Sequence, residues 1–190
     1  MSEPAAEPSG VATIQDGDAV CARVRALLDW GGVELDLLSS AFRGCTSEQL
    51  AQVTSMQRAE ALPLAYHEFL RLSGNGGIGS ALAEIFPGDD VDYDSLMEAE
   101  DWVGMRAMAE DIVANSAATV DLDAQAVIRV HRLATFEYVD TRHPDPVVWC
   151  FEETAAAPRQ EEQSFTAWLE RRIARAIKRR YPLRDARFPG

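Results

Sequence analysis

Ala126-Val127-Ile128-Arg129-Val130-His131, Thr135-Phe136-Glu137-Tyr138-Val139 and Val147-Val148-Trp149-Cys150-Phe151 are three runs of β-branched and aromatic residues, and their reading decides the fold. Such side chains suit a pleated, packed surface. The last two runs are separated by Arg142-His143-Pro144-Asp145-Pro146, which is turn chemistry. The pattern predicts an antiparallel meander. Sequence on both sides of it has a different period. On the C-terminal side Ser164 is placed as an N-cap, and Phe165, Trp168, Leu169, Ile173, Ala176 and Ile177 share one face of a helix that must stop before Pro182.

The N-terminal side reads as helices. Ser95-x-x-Glu98 is a capping box for a helix reaching about Asn115, with Leu96, Ala99, Val103, Met108, Ile112 and Val113 available for burial. Leu62 to Gly77 is a further helix with its start and stop. Pro63 fits its first turn, Tyr66, Phe69 and Leu70 share a face, and Ser73-Gly74-Asn75-Gly76-Gly77 ends it. Thr46-x-x-Gln49 is a second capping box, followed by Leu50, Val53 and Met56. Between Asp18 and Leu38, Val20, Val24, Leu27, Leu28, Leu35 and Leu38 suggest helices broken at Gly31-Gly32. Ile78 to Phe86 reads as a short connection, extended around Leu82–Phe86, before the Pro87-Gly88 turn. Residues 1–16 lack periodicity and read as a disordered tail. Helices, then strands, then a helix predict an α+β fold, a mostly antiparallel sheet with N-terminal and C-terminal helices packed on it, in a single domain over 17–190.

A chain of 190 residues that is 47% hydrophobic and 26% charged can bury one substantial core. No basic n-region or apolar core marks the first ten residues as a secretory leader, and no apolar run is long enough to span a bilayer, so the expected location is cytoplasmic. The three cysteines, Cys21, Cys45 and Cys150, have no CxxC pair and no histidine at zinc-finger distance. Neither a structural disulfide nor zinc is expected. Net charge is −13, although residues 165–190 hold eight basic residues and two acidic ones. The rest is therefore strongly anionic, a balance that repels nucleic acids and anionic membranes and attracts a basic partner, or that serves solubility alone.

In order along the chain, Leu62-Pro63, Tyr66, Phe69-Leu70, Asn75-Gly76, the paired strands around His131 and Phe136, Asp145-Pro146-Val147, and Ser164-Phe165 with Trp168-Leu169 resemble the SUKH superfamily of Smi/Knr-type domains. The likeness spans about Leu62 to Leu169. Arg132-Leu133 departs from it, since relatives often place a Gln-Gly or similar turn after the histidine that ends the first strand. The resemblance implies a non-enzymatic, protein-binding domain: a bacterial immunity protein that neutralises a cognate toxin, or alternatively an intracellular regulatory scaffold with several endogenous partners.

Catalytic, metal-binding and nucleic-acid-binding chemistry each have candidate residues. His67, His131 and His143 are the only histidines. Cys150 with His131, and Asp145 or Glu137 as the acid, would be the one Cys/His arrangement, but there is no nucleophile elbow or phosphate-binding glycine loop. Asp90-x-Asp92-x-Asp94, Glu98 and Asp101 match positions 1, 3, 5, 9 and 12 of a calcium loop. Ser95 replaces its glycine, Asp101 its bidentate glutamate, and Pro87-Gly88 its incoming helix. Those carboxylates otherwise form the acidic start of a helix. Arg171, Arg172, Arg175, Lys178, Arg179 and Arg180 would be the footprint of nucleic-acid binding, but cations also stabilise a helix end, and no aromatic interleaving accompanies them.

The resulting expectation is an acidic face, with Glu84 and Asp101 at its margins, that covers the cationic groove of a basic, nucleic-acid-attacking toxin. Asp89, Asp90, Asp92, Asp94 and Glu98 would steer the partner, and Tyr93 and Trp102 would anchor it. No catalytic residue, metal, cofactor, nucleic-acid partner or membrane contact is expected.

Overall fold

The computed structural model describes residues 14–36, 44–74, 101–131 and 134–190. Within them the chain is α+β: α1 (Ile14–Glu34), α2 (Ser47–Met56), α3 (Leu64–Ser73), α4 (Asp101–Asn115), β1 (Gln125–His131), β2 (Thr135–Asp140), β3 (Val148–Glu152), β4 (Arg159–Glu162) and α5 (Phe165–Arg180). The four strands form one antiparallel sheet in the order β1-β2-β3-β4. α1 packs on α3 and α5, α2 on α3 and α4, and α4 on β1 and β2. No helix among the described residues is long and apolar enough to cross a membrane.

Strand alternation assigns the two faces of the sheet. Phe136 pairs with Phe151 and Tyr138 with Trp149, while Glu137 pairs with Cys150 and Val139 with Val148 on the opposite face. Both faces are covered, since Phe136, Phe151, Val139 and Val148 are all fully buried. That explains why the strands read as nearly continuous apolar runs and not as alternating ones. On the aromatic face the Phe136 ring lies 5.4 Å from that of Phe151 and 5.5 Å from that of Tyr138. All six residues named for the apolar stripe of α5 are buried, and Ser164 accepts the Ala167 N–H as its N-cap. The Thr46/Gln49 capping box of α2 is complete.

Four readings change. α1 runs without a break through Gly31-Gly32. A Cβ on Gly31 would stand 3.1 Å from Ile173 Cγ2, so this glycine lets α1 approach α5 and does not end the helix. The helical backbone starts at Ile14, inside the stretch read as tail, and residues 1–13 lie outside the described residues. Pro63 is the N-cap of α3, one position before the first turn. Finally, Arg159-Gln160-Glu161-Glu162 forms a fourth strand that polarity concealed. The Ser95/Glu98 box, the 78–88 connection, Leu38 and Arg132-Leu133 lie outside the described residues.

Candidate functional site

Three pieces of the motif quoted above meet in space. The Ala65 N–H at the start of α3 donates to the Pro144 carbonyl at 2.8 Å. Asp145 accepts from the backbone N–H and the hydroxyl of Thr166 at 2.9 and 2.6 Å, so the 144–146 loop is tied to the first turn of α5 as well. Across this junction the ring of Tyr66 lies 5.5 Å from that of Phe165, which also meets Phe69 at 5.8 Å and Trp168 at 5.3 Å. A carboxylate at a helix N-terminus satisfies donors that the helix cannot and complements its dipole. The motif residues at this junction therefore pack the molecule together.

Of the residues expected to receive a partner, Asp89, Asp90, Asp92, Tyr93, Asp94 and Glu98 lie outside the described residues, as does most of the calcium-like spacing. The backbone of Asp101 and Trp102 forms the first turn of α4. On either side of the acidic segment in sequence, α3 closes with the Gly74 N–H donating to Leu70 O at 2.8 Å, and α4 begins at Asp101. No group of three or more metal-ligating side chains occurs among the described residues.

The alternative Cys/His site does not assemble as a nucleophile with its acid. Cys150 is buried, and that burial pushes its thiol up to about 11, with Glu137, Glu161 and Glu152 adding to the effect and Arg159 opposing it. A thiol held protonated is a poor nucleophile. Glu137 is engaged elsewhere: it accepts from Trp168 Nε1 at 3.1 Å and from Arg172 at 2.5 Å, with Arg129 at 3.9 Å. Asp145, the other candidate acid, caps α5. Cys21 and Cys150 are free thiols.

The basic residues of α5 divide into two groups. Arg171 bonds Glu161 and Glu162 on β4, and Arg172 reaches Glu137 under the helix. Burial raises the carboxyl pKa of Glu161, but Arg171 and Arg159 outweigh this and hold it below the usual carboxylate range. Arg175, Lys178, Arg179 and Arg180 are exposed. The last three occupy the C-terminal turn of the helix, where cations oppose the dipole favourably.

Several polar residues that carry the architecture had no motif to announce them. Glu68 is buried between α1 and α3 and accepts from Arg25 at 2.7 Å and from Arg71 through both oxygens. Gln57 and Arg106 are buried against β1. Their only trace in the sequence is a polar residue at a position where helical period calls for an apolar one.

The fold places the chain among α+β proteins with a four-stranded antiparallel meander flanked by helices. No family model matches it, and no curated protein or solved structure matches it.

Proposed function

We propose that this chain is a non-enzymatic, cytoplasmic protein-binding domain that neutralises a basic, nucleic-acid-attacking toxin by covering its cationic substrate groove. The observation that carries this reading is the segment from Asn75 to Glu100, which holds Glu84, Asp89, Asp90, Asp92, Asp94, Glu98 and Glu100 and no basic residue. Concentrated like charge raises the encounter rate with an oppositely charged surface and rejects like-charged competitors. Tyr93 lies among the carboxylates in sequence and Trp102 follows them, and these two supply the apolar anchors that slow dissociation. The occupied hydrogen bonding of Glu137 and Asp145, and the protonated thiol of Cys150, favour binding over catalysis.

The test begins with tagged capture from the source cells, washed at low and high salt and read by mass spectrometry. One dominant basic partner is expected, with capture that weakens as salt rises. Replacing Asp90, Asp92 and Asp94 together by Asn should then slow association about tenfold and flatten its salt dependence, with dissociation little changed. Stopped-flow rates unaltered by the triple substitution would remove this segment from the interface. Several weak endogenous partners, with no rescue from a toxin, would replace neutralisation by the regulatory scaffold of Smi/Knr type.

A further inference from the structure

Among the described residues β1 is the end strand of the sheet, and every outward main-chain group of its first half already has a partner that is not a strand. The Val127 N–H donates to Gln57 Oε1 at 2.9 Å, and Gln57 Nε2 donates back to Val127 O at 3.1 Å. One amide side chain thus makes the pair of bonds that a neighbouring strand residue would make. Two residues earlier, the Gln125 N–H donates to Leu122 O at 3.0 Å and Gln125 O accepts from Arg106 at 3.0 Å. The same guanidinium donates to the Gln57 carbonyl at 3.2 Å and to Glu110 at 2.9 Å, which fixes the end of α2 against α4 and the strand. Beyond Val127 a bulge at Ile128 shifts the register with β2.

We infer that Gln57, held by Arg106, is a strand-mimicking plug that closes the β1 edge and keeps a second copy of this chain from pairing there. The strand it engages at Val127 carries the run Ala126-Val127-Ile128-Arg129-Val130, which is rich in β-branched residues and would be adhesive as an open edge. The contrast with the opposite edge supports the assignment. β4 is short, and its Arg159, Glu161 and Glu162 place charges along it, a different protection for a strand with no adhesive sequence. Two edges therefore carry two devices, each suited to its own residues. Gln57 is fully buried, and its amide is matched to a donor and an acceptor at once, so solubility or helix propensity gives no reason for glutamine there.

The experiment compares the full chain with Gln57→Met, which keeps the length of the side chain and loses both bonds, and with Val53→Ala, which loosens α2 without touching the edge. Sedimentation equilibrium over a concentration series should give Gln57→Met a mass rising toward twice that of the monomer, while Val53→Ala follows the wild type. Amide exchange should find Val127 N–H protected in the wild type, and protected again in the Gln57→Met associate. A folded Gln57→Met with the wild-type mass profile overturns the proposal, as does equal association of Val53→Ala or an associate in which Val127 exchanges freely. If Gln57→Met does not fold, Arg106→Met, which frees Gln125 O and the Gln57 carbonyl, is read by the same criteria.

Discussion

A buried carboxylate survives only where its neighbours replace the water it has lost, and Glu68 is the clearest instance here. Arg71 engages both of its oxygens and Arg25 adds a third bond, so despite burial its carboxyl is held down at about 2. The folded pKa lies below the unfolded one, so the stability this group contributes is present in full above the ordinary glutamate range. It is lost as pH falls from there through about 2. Glu68→Gln should therefore cost about 2 kcal/mol at neutral pH, less than a fully buried pair would because both arginines are about half exposed, and the cost should fade toward pH 2. Urea titrations of both proteins across that range check this, and a cost independent of pH would contradict it. Gly44 is constrained by space instead. A Cβ there would sit 1.8 Å from the Arg71 carbonyl oxygen, beside the Cys45 N–H bond to Leu70 O, and neither backbone can withdraw easily. Gly44→Ala should cost about 3 kcal/mol in a denaturant titration, well beyond the usual effect of adding a methyl at the surface.

At the level of elements, helix ends are fixed by residues far away in sequence. α5 begins with two caps: its own Ser164, and Asp145 from the turn after β2. Asp145→Ala should destabilise by about 2 kcal/mol and Ser164→Ala by about 1 kcal/mol. Because the two caps share one helix turn, the double variant should depart from the sum of the single costs, a coupling that a thermal-melt cycle would detect. Such elements were legible where local chemistry and burial agree. The apolar stripe of α5, the Thr46 box of α2 and the three apolar strands are read correctly because the same residues that favour each conformation also fill the core. Legibility failed where packing overruled local preference. Gly31-Gly32 has the signature of a break but is kept helical by the approach of Ile173, and β4 has no strand signature because its conformation is supplied by pairing with β3 and by Arg159 and Arg171.

Across the whole molecule, charge in the sequence and packing in the fold are two different kinds of signal. The motif residues at Tyr66, Phe69, Asp145 and Phe165 turn out to join α3, the 144–146 loop and α5, whereas the carboxylates proposed for the partner lie outside the described residues. Motif order therefore reports on how the chain holds together, and charge concentration is the separate signal on which the proposed partner rests. The interlocking polar residues Gln57 and Arg106 gave no comparable signal, since their roles arise only once distant strands and helices are side by side. The same long-range closure joins the two ends of the described chain. Phe188 lies edge-on to Trp30 with ring centres 5.5 Å apart and beneath Arg23 at 4.2 Å, Arg184 donates to the Glu34 carbonyl at 2.7 Å, and Tyr181 donates to Asp36 at 3.1 Å. A cation on the last carbonyls of α1 and an aromatic ring on its flank make the final ten residues a strap over that helix. Phe188→Ala should lower stability by about 1–2 kcal/mol. Leu183→Ser should change it by less than about 0.5 kcal/mol, because Leu183 belongs to the same segment but is fully exposed. Urea midpoints followed by tryptophan fluorescence distinguish the two, and equal midpoints would mean that the strap rests on α1 without holding it.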